Sequence, residues 1–121
     1  MEWKLSDDRP IWLQLSQQLA RRILTGVYPP GSRLPSVREL AAEAGVNPNT
    51  MQRALAQLEQ EGLAKADRTA GRLVTRDTAV LEGARAAEAR VVMEQYFEAM
   101  AQLGYTRREA GALLEEESNH E

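Results

Sequence analysis

The thirty residues from Leu34 to Leu63, LPSVRELAAEAGVNPNTMQRALAQLEQEGL, admit few folds. Ser36 can cap a helix, and Glu39 three residues later completes a capping box. Gly45 ends that helix, because the residue there needs a positive φ that glycine adopts without strain. Asn47 caps a second helix, with Pro48 in the first helical position, where a missing N–H costs nothing. Met51, Ala54, Leu55 and Leu58 then recur at helical spacing and point inward beside Leu40, Ala41 and Val46. The opposite face carries Asn49, Arg53 and Gln60, with Thr50 and Gln52 on its shoulder. Two short helices locked at an angle, the second polar and basic over its outer N-terminal half, make a helix-turn-helix. Such a second helix is shaped to enter a DNA major groove.

Charge is distributed in the same sense. The net charge of −3 over 121 residues argues against a nucleic-acid partner only if it is spread evenly. Residues 1–76 hold eleven Lys and Arg against eight Asp and Glu, a net of +3, whereas residues 77–121 hold four against ten, a net of −6. A DNA-facing head and an acidic tail follow, although a plain solvated acidic helix accounts for the tail alone.

Ahead of the helix pair, residues 2–8 alternate at Trp3 and Leu5 like an arm or brief strand, with Trp3 packed on this chain or on a partner subunit. A first helix runs from about Pro10 to Thr25 with Ile11, Leu15, Leu19 and Ile23 as its apolar stripe. Arg21 and Arg22 fall off that stripe, which predicts solvent-facing side chains that are either phosphate neighbours or plain surface. Together with Ile11, Leu15 and Leu19, the residues Leu40, Val46, Leu55 and Leu58 are the expected core of the head. Pro29-Pro30-Gly31 turns the chain, and Arg33 lies just before the second helix. Leu63–Ala66 and Arg72–Thr75 are short candidate strands around Asp67-Arg68-Thr69-Ala70-Gly71, a hairpin signal. Behind a helix-turn-helix this hairpin makes a wing with Arg68 and Arg72 near its tip, poised for phosphate or minor-groove contact unless it is surface ornament.

One long helix is expected from about Thr78 to Leu103. Val80, Ala84, Ala87 and Val91 form one seam, and Ala89, Val92, Tyr96, Ala99 and Leu103 a second, with Met93, Phe97 and Met100 alongside. That surface is wide for a helix leaving so small a head, and the same helix of a second subunit would cover it. The expected dimerisation residues are therefore Val80, Ala84, Val91, Val92, Tyr96, Phe97, Met100 and Leu103. Gly104 ends the helix. Thr106 and Glu109 form another capping box, opening a last helix to about Glu116 whose Ala110, Leu113 and Leu114 can fold back on the long one. The closing residues, including His120, are expected to fray.

These motifs resemble the GntR family of bacterial transcription regulators. The resemblance is carried by Pro10-Ile11, Gln14-Leu15, the run Pro29 to Ala41, Gly45 to Thr50, Leu58 to Leu63 and the wing Arg68 to Arg72, and covers about residues 3–76. The short C-terminal segment resembles the YtrA-like subfamily, with two dimerising helices in place of a large ligand-binding domain. The resemblance implies a mostly α fold with a small β-hairpin wing: a winged helix-turn-helix over 1–76 and a helical dimerisation segment over 77–121. It implies a homodimeric transcription regulator, most often a repressor. It also implies DNA contacts from Arg38, Asn47, Asn49, Thr50 and Gln52, with Gly71 in the minor groove. Other branches of the family have arginines where this chain has Pro48 and Gln52, so their base preferences do not transfer.

From the chemistry of the side chains, Arg53 and Gln52 are the expected base readers, since Arg pairs with guanine and Gln with adenine edges. Arg33, Arg38, Arg68 and Arg72 are expected phosphate clamps, which position without specifying sequence. Ser36 can donate to a phosphate, although capping suffices to explain it. An enzyme is not expected. The only histidine is His120, there is no cysteine, and neither a P-loop nor a GxGxxG run occurs. Glu115-Glu116-Glu117 reads as a solvated helix end, so no metal and no cofactor are expected. With no charged-then-apolar leader, and no apolar run near the ~20 residues that cross a bilayer, a soluble cytoplasmic protein is the expectation. Any small-molecule effector would have to bind at the subunit junction or between head and tail. The alternative is a winged helix serving as a protein-interaction module without sequence-specific DNA binding.

Overall fold

In the computed structural model, which describes residues 2–119, capping chemistry sets where the helices begin. Helix α1, Ile11–Leu24, follows Pro10. Helix α2, Val37–Ala44, opens on the full capping box: Ser36 Oγ accepts from the Glu39 N–H at 3.1 Å, and Glu39 Oε1 accepts from the Ser36 N–H at 3.3 Å. Helix α3, Pro48–Gln60, is capped by Asn47, whose Oδ1 accepts from the Asn49 N–H at 2.7 Å. Gly45 closes α2 at φ 70°, with no heavy atom within 4 Å of where a Cβ would stand. The turn therefore needs glycine for its backbone conformation, not for space. His120 lies outside the described residues.

The contacts divide the chain into two units, one ending at Gly83 and one beginning at Ala84. The division falls inside helix α4, Thr78–Gln102, rather than at the expected 76/77. The opening turns of α4 stay with the head: Val80 Cγ1 lies 3.7 Å from the position of a Cβ on Gly62.

In the first unit α3 packs on α1 and α2. Leu15, Leu19, Leu40, Met51, Ala54, Leu55 and Leu58 are fully buried. Ile11 and Val46, expected in that core, are only half-buried, because each stands at an element's edge. Leu34, Leu63 and Val74 complete the interior. Burial of a leucine stabilises by roughly 1.5–3 kcal/mol, so this cluster, in which no aromatic side chain is fully buried, supplies much of the head's stability.

The hairpin consists of β1, Ala64–Asp67, and β2, Gly71–Val74, antiparallel with Ala64 opposite Val74 and Asp67 opposite Gly71. Both strands lie one residue from their expected bounds. The segment before α2, read as a loop, runs beside β2 instead. Gly31 N donates to Val74 O, Val74 N to Ser32 O, and Leu34 N to Arg72 O, each at 2.9 Å, with a bridge between Arg33 and Leu73. A three-residue stretch interrupted by turn signals carries no periodicity, so the pairing was not legible as a strand.

The second unit holds the rest of α4 and helix α5, Arg107–Ser118, capped by Thr106 and Glu109 in the expected box. Here α5 returns on α4: Tyr96 Oη donates to Ala110 O at 2.6 Å, and Ala110 is fully buried. Arg107 pairs with both carboxylate oxygens of Glu94, at 2.5 and 3.2 Å, and lies 4.2 Å over the Phe97 ring. The Arg107 hydrogen bonds hold the Glu94 carboxyl below its usual range. Tyr96 and Phe97, expected at a dimer seam, are thus already engaged within the same chain, and Met100 is half-buried. Val91, Val92 and Leu103 are exposed, Leu103 by 73%, and no residue of α4 is buried.

Candidate nucleic-acid interface

Helix α3 sends Met51, Ala54, Leu55 and Leu58 inward, which leaves Asn49, Gln52, Arg53, Ala56 and Gln60 exposed. Asn47 is exposed too, but its side-chain oxygen is occupied as the cap. Thr50 is half-buried. The two flanks of this face are built differently. On one, Arg53 Cζ lies 4.2 Å over the ring of Trp12, the second residue of α1. On the other, Arg72 Nε donates to Glu59 Oε1 at 2.5 Å, joining β2 to the last turn of α3. Arg72, expected as a phosphate clamp, thus also serves as the tie between wing and helix.

Beside that tie is a notch of about 300 Å³ lined by Arg33, Leu34, Ser36, Arg38, Gly71 and Arg72, among others. Arg33 and Arg38 are exposed, and three guanidinium-bearing residues therefore border one recess at the start of α2. Such a cluster carries the charge and the forked donors that suit the phosphates of a nucleic-acid backbone. Ser36 Oγ is committed to the cap, which limits what it can add. Gly71 has φ 80°, and Arg33 Nε lies 3.7 Å from the position of its missing Cβ. A side chain there would be strained by the backbone conformation, not by that arginine, which stands at ordinary contact distance.

At the wing tip Arg68 is exposed. The turn beneath it is fixed by Asp67, whose Oδ1 accepts from the N–H groups of Thr69 and Ala70 and from Thr69 Oγ1, each at 2.9 Å. Those backbone donors, Thr69 first, hold the Asp67 carboxyl below the usual aspartate range. A larger open concavity of about 580 Å³ lies behind the hairpin, bordered by Gly31, Gly62, Lys65, Leu73 and Arg76. None of the expected DNA-contacting residues lines it.

The N-terminal arm forms no strand. It is clipped to α1 by two glutamine side chains that imitate a β-ladder. Gln14 Oε1 accepts from Ser6 N at 2.8 Å while its Nε2 donates to Ser6 O at 2.8 Å and Arg9 O at 2.7 Å. Gln18 similarly brackets Lys4, accepting from its N at 3.1 Å and donating to its O at 2.6 Å. Trp3 accordingly packs within its own chain: Arg22 Cζ lies 4.1 Å from its ring, and its Nε1 donates to Glu43 Oε1 at 3.1 Å. Arg22, expected in solvent, is only 5% exposed. Its Nη1 donates to Tyr28 Oη at 2.8 Å and to Glu43 Oε1 at 3.1 Å, tying α1 to α2. Arg22 is shielded because the arm supplies a lid that helical periodicity cannot reveal. Trp12 was also missed. Its one signal was an aromatic standing off the apolar stripe of α1 without a role in the core.

Comparison with known proteins decides what such a head belongs to. Residues 12–74 match the bacterial regulatory proteins of the gntR family. The chain belongs to the GntR family. This GntR-family chain is 32% identical over 109 residues to the uncharacterized HTH-type transcriptional regulator YhcF of Bacillus subtilis, covering 90% of each chain. It is 41% identical over 76 residues to the HTH-type transcriptional repressor YtrA of the same organism, covering 61% of this chain and 58% of that one. Among solved structures, a GntR family transcriptional regulator from Listeria monocytogenes matches with a TM-score of 0.80 and 33% identity over 93% of this chain and 98% of its own. AraR(DBD) in complex with operator ORX1 matches with a TM-score of 0.54 and 25% identity over 62% of this chain and 92% of its own. The winged helix-turn-helix of this GntR member is therefore that of a DNA-binding transcriptional regulator, not of an enzyme. Among the described residues no helix is long and apolar enough to cross a membrane, and no three His, Asp or Glu side chains gather as a metal site.

Proposed function

We infer that this GntR-family regulator is a cytoplasmic, sequence-specific repressor that grips an inverted-repeat operator as a homodimer. The observation that carries the reading is the notch joining Arg33, Arg38 and Arg72 beside the exposed polar face of α3. In this reading Asn49 and Gln52 read base edges, with Thr50 and the capping Asn47 at the groove entrance. Arg33, Arg38 and Arg68 meet phosphates, and Gly71 lets the wing approach the minor groove. Support for the sign of regulation is the repressor named YtrA, and support for an operator is the AraR complex. Exposed Val91, Val92 and Leu103, with Ala84, supply the dimer surface of the second unit; Tyr96, Phe97 and Met100 lie behind it, and Val80 belongs with the head. Two-fold symmetry then sets the recognition helices about 34 Å apart, one duplex turn.

The test is to select bound sequences from a random duplex pool with the purified full chain and titrate the winner by anisotropy at two salt concentrations. Inverted half-sites one turn apart are expected, with affinity falling steeply as salt rises, since each neutralised phosphate adds about −0.9 to the log–log slope. Binding that is absent or indifferent to salt would leave the head as a protein-interaction module. Loss of reporter expression on adding the protein, with the selected site between promoter and reporter, would establish repression.

A further inference from the structure

The structure assigns Trp12 a positioning role in the DNA contact: its indole holds the Arg53 guanidinium at the flank of α3, where it meets a backbone phosphate instead of a base edge. The assignment rests on the DNA-binding reading above. Arg53 Cζ lies 4.2 Å from the centroid of the Trp12 ring. That ring is on α1, so the exposed arginine leans sideways across an interhelical boundary rather than outward from its own helix. Trp12 is half-buried and stands off the Leu15, Leu19, Ile23 stripe that builds the core. Among the described residues no carboxylate pairs with Arg53. The indole lies against the guanidinium, whose five N–H donors leave some available to an acceptor.

Groove geometry selects that acceptor. A helix seated in a major groove about 12 Å wide has rows of phosphates along both flanks and base edges only beneath it. A cation drawn toward α1 faces a row, whereas Asn49 and Gln52 stay over the floor. The opposite flank is different, because Arg72 there is tied to Glu59. Stacking also fixes a long, rotamer-rich side chain before DNA arrives, which lowers the ordering cost of binding.

Two measurements test the assignment. In the free protein labelled with 5-fluorotryptophan, two fluorine resonances are expected from the two tryptophans, Trp3→Phe identifying its own. Arg53→Ala should move the Trp12 resonance and leave the Trp3 one in place; an unmoved Trp12 resonance overturns the stack. The second measurement titrates the selected duplex, its single-base variants and a random-sequence duplex across salt. Arg53→Ala should weaken all of them alike, by about tenfold, and flatten the salt slope by about one charge. Trp12→Leu should reproduce several-fold of that loss, Trp12→Tyr should restore it, and the Trp12→Leu/Arg53→Ala pair should be no worse than Arg53→Ala. Additive losses, or a loss confined to one base pair, overturn the assignment. A wild-type protein that binds no duplex would instead overturn the DNA-binding reading and the positioning role with it, while the fluorine shift would still report the contact.

Discussion

Glu59 on the last turn of α3 accepts a 2.5 Å hydrogen bond from Nε of Arg72 on β2. Both side chains are partly shielded, and this pair ties the second strand of the wing to the recognition helix through side chains. Two roles for Arg72 make opposite predictions. If its charge were held back from DNA, removing Glu59 would release it and tighten binding. If it braces the wing, removal would loosen the wing and weaken binding. The expected result for Glu59→Ala is a several-fold loss of duplex affinity by anisotropy, with unfolding stability lower by about 1 kcal/mol.

Gln14 is buried and brackets the Ser6 peptide with both ends of its amide. Gln14→Glu keeps the shape but replaces a donor with an acceptor, stranding Ser6 O and Arg9 O opposite a carboxylate. A loss of about 2 kcal/mol is expected from the midpoint of urea unfolding. Faster amide exchange at Ser6 should accompany it.

Val92 and Tyr96 separate assembly from internal packing. Val92 is about half exposed, and an aspartate there should break the proposed dimer, halving the mass found by sedimentation equilibrium. Tyr96→Phe removes only the hydrogen bond to Ala110 O and should cost about 1 kcal/mol in thermal unfolding while the sedimentation mass stays that of a dimer. A dimeric Val92→Asp protein would move the interface elsewhere.

Acid should act on local turns before it acts on the core. Asp67 is held below its usual range by the Thr69 and Ala70 N–H groups, and Glu109 by the Thr106 N–H. A depressed folded value means that their contribution is complete above the unfolded value. It is lost as pH falls through the folded one. Below about pH 4 the wing turn and the start of α5 should therefore loosen. Amide exchange at Thr69, Ala70 and Thr106 should rise there, while Asp67→Asn should remove the pH dependence at the wing.

What could be read from the chain alone divides by the range of the interaction. Ser36 with Glu39, Asn47 with Pro48, Gly45 and Thr106 with Glu109 act within four residues, so their spacing is their structure. The leucines of α1 and α3 were equally legible, since one helical period governs them. Arg22, Arg53 and Arg72 were not. Each arginine finds its partner, Glu43, Trp12 or Glu59, across a tertiary boundary that no periodicity encodes. The place of Trp3 is illegible for the same reason: it depends on two glutamines that look like ordinary helix surface. At the candidate interface the residue types are legible in the sequence, whereas the tertiary partners of Arg53 and Arg72 are not.

The uncovered α4, with Val91, Val92 and Met93 about half exposed, bears on dosage. Under the dimeric reading a newly made copy carries a greasy rod until it meets its twin. At low abundance such orphans would be prey to proteolysis, and promoter occupancy would climb with the square of the amount synthesised. A cell could then throw this switch by changing how much protein it makes, with no metabolite involved.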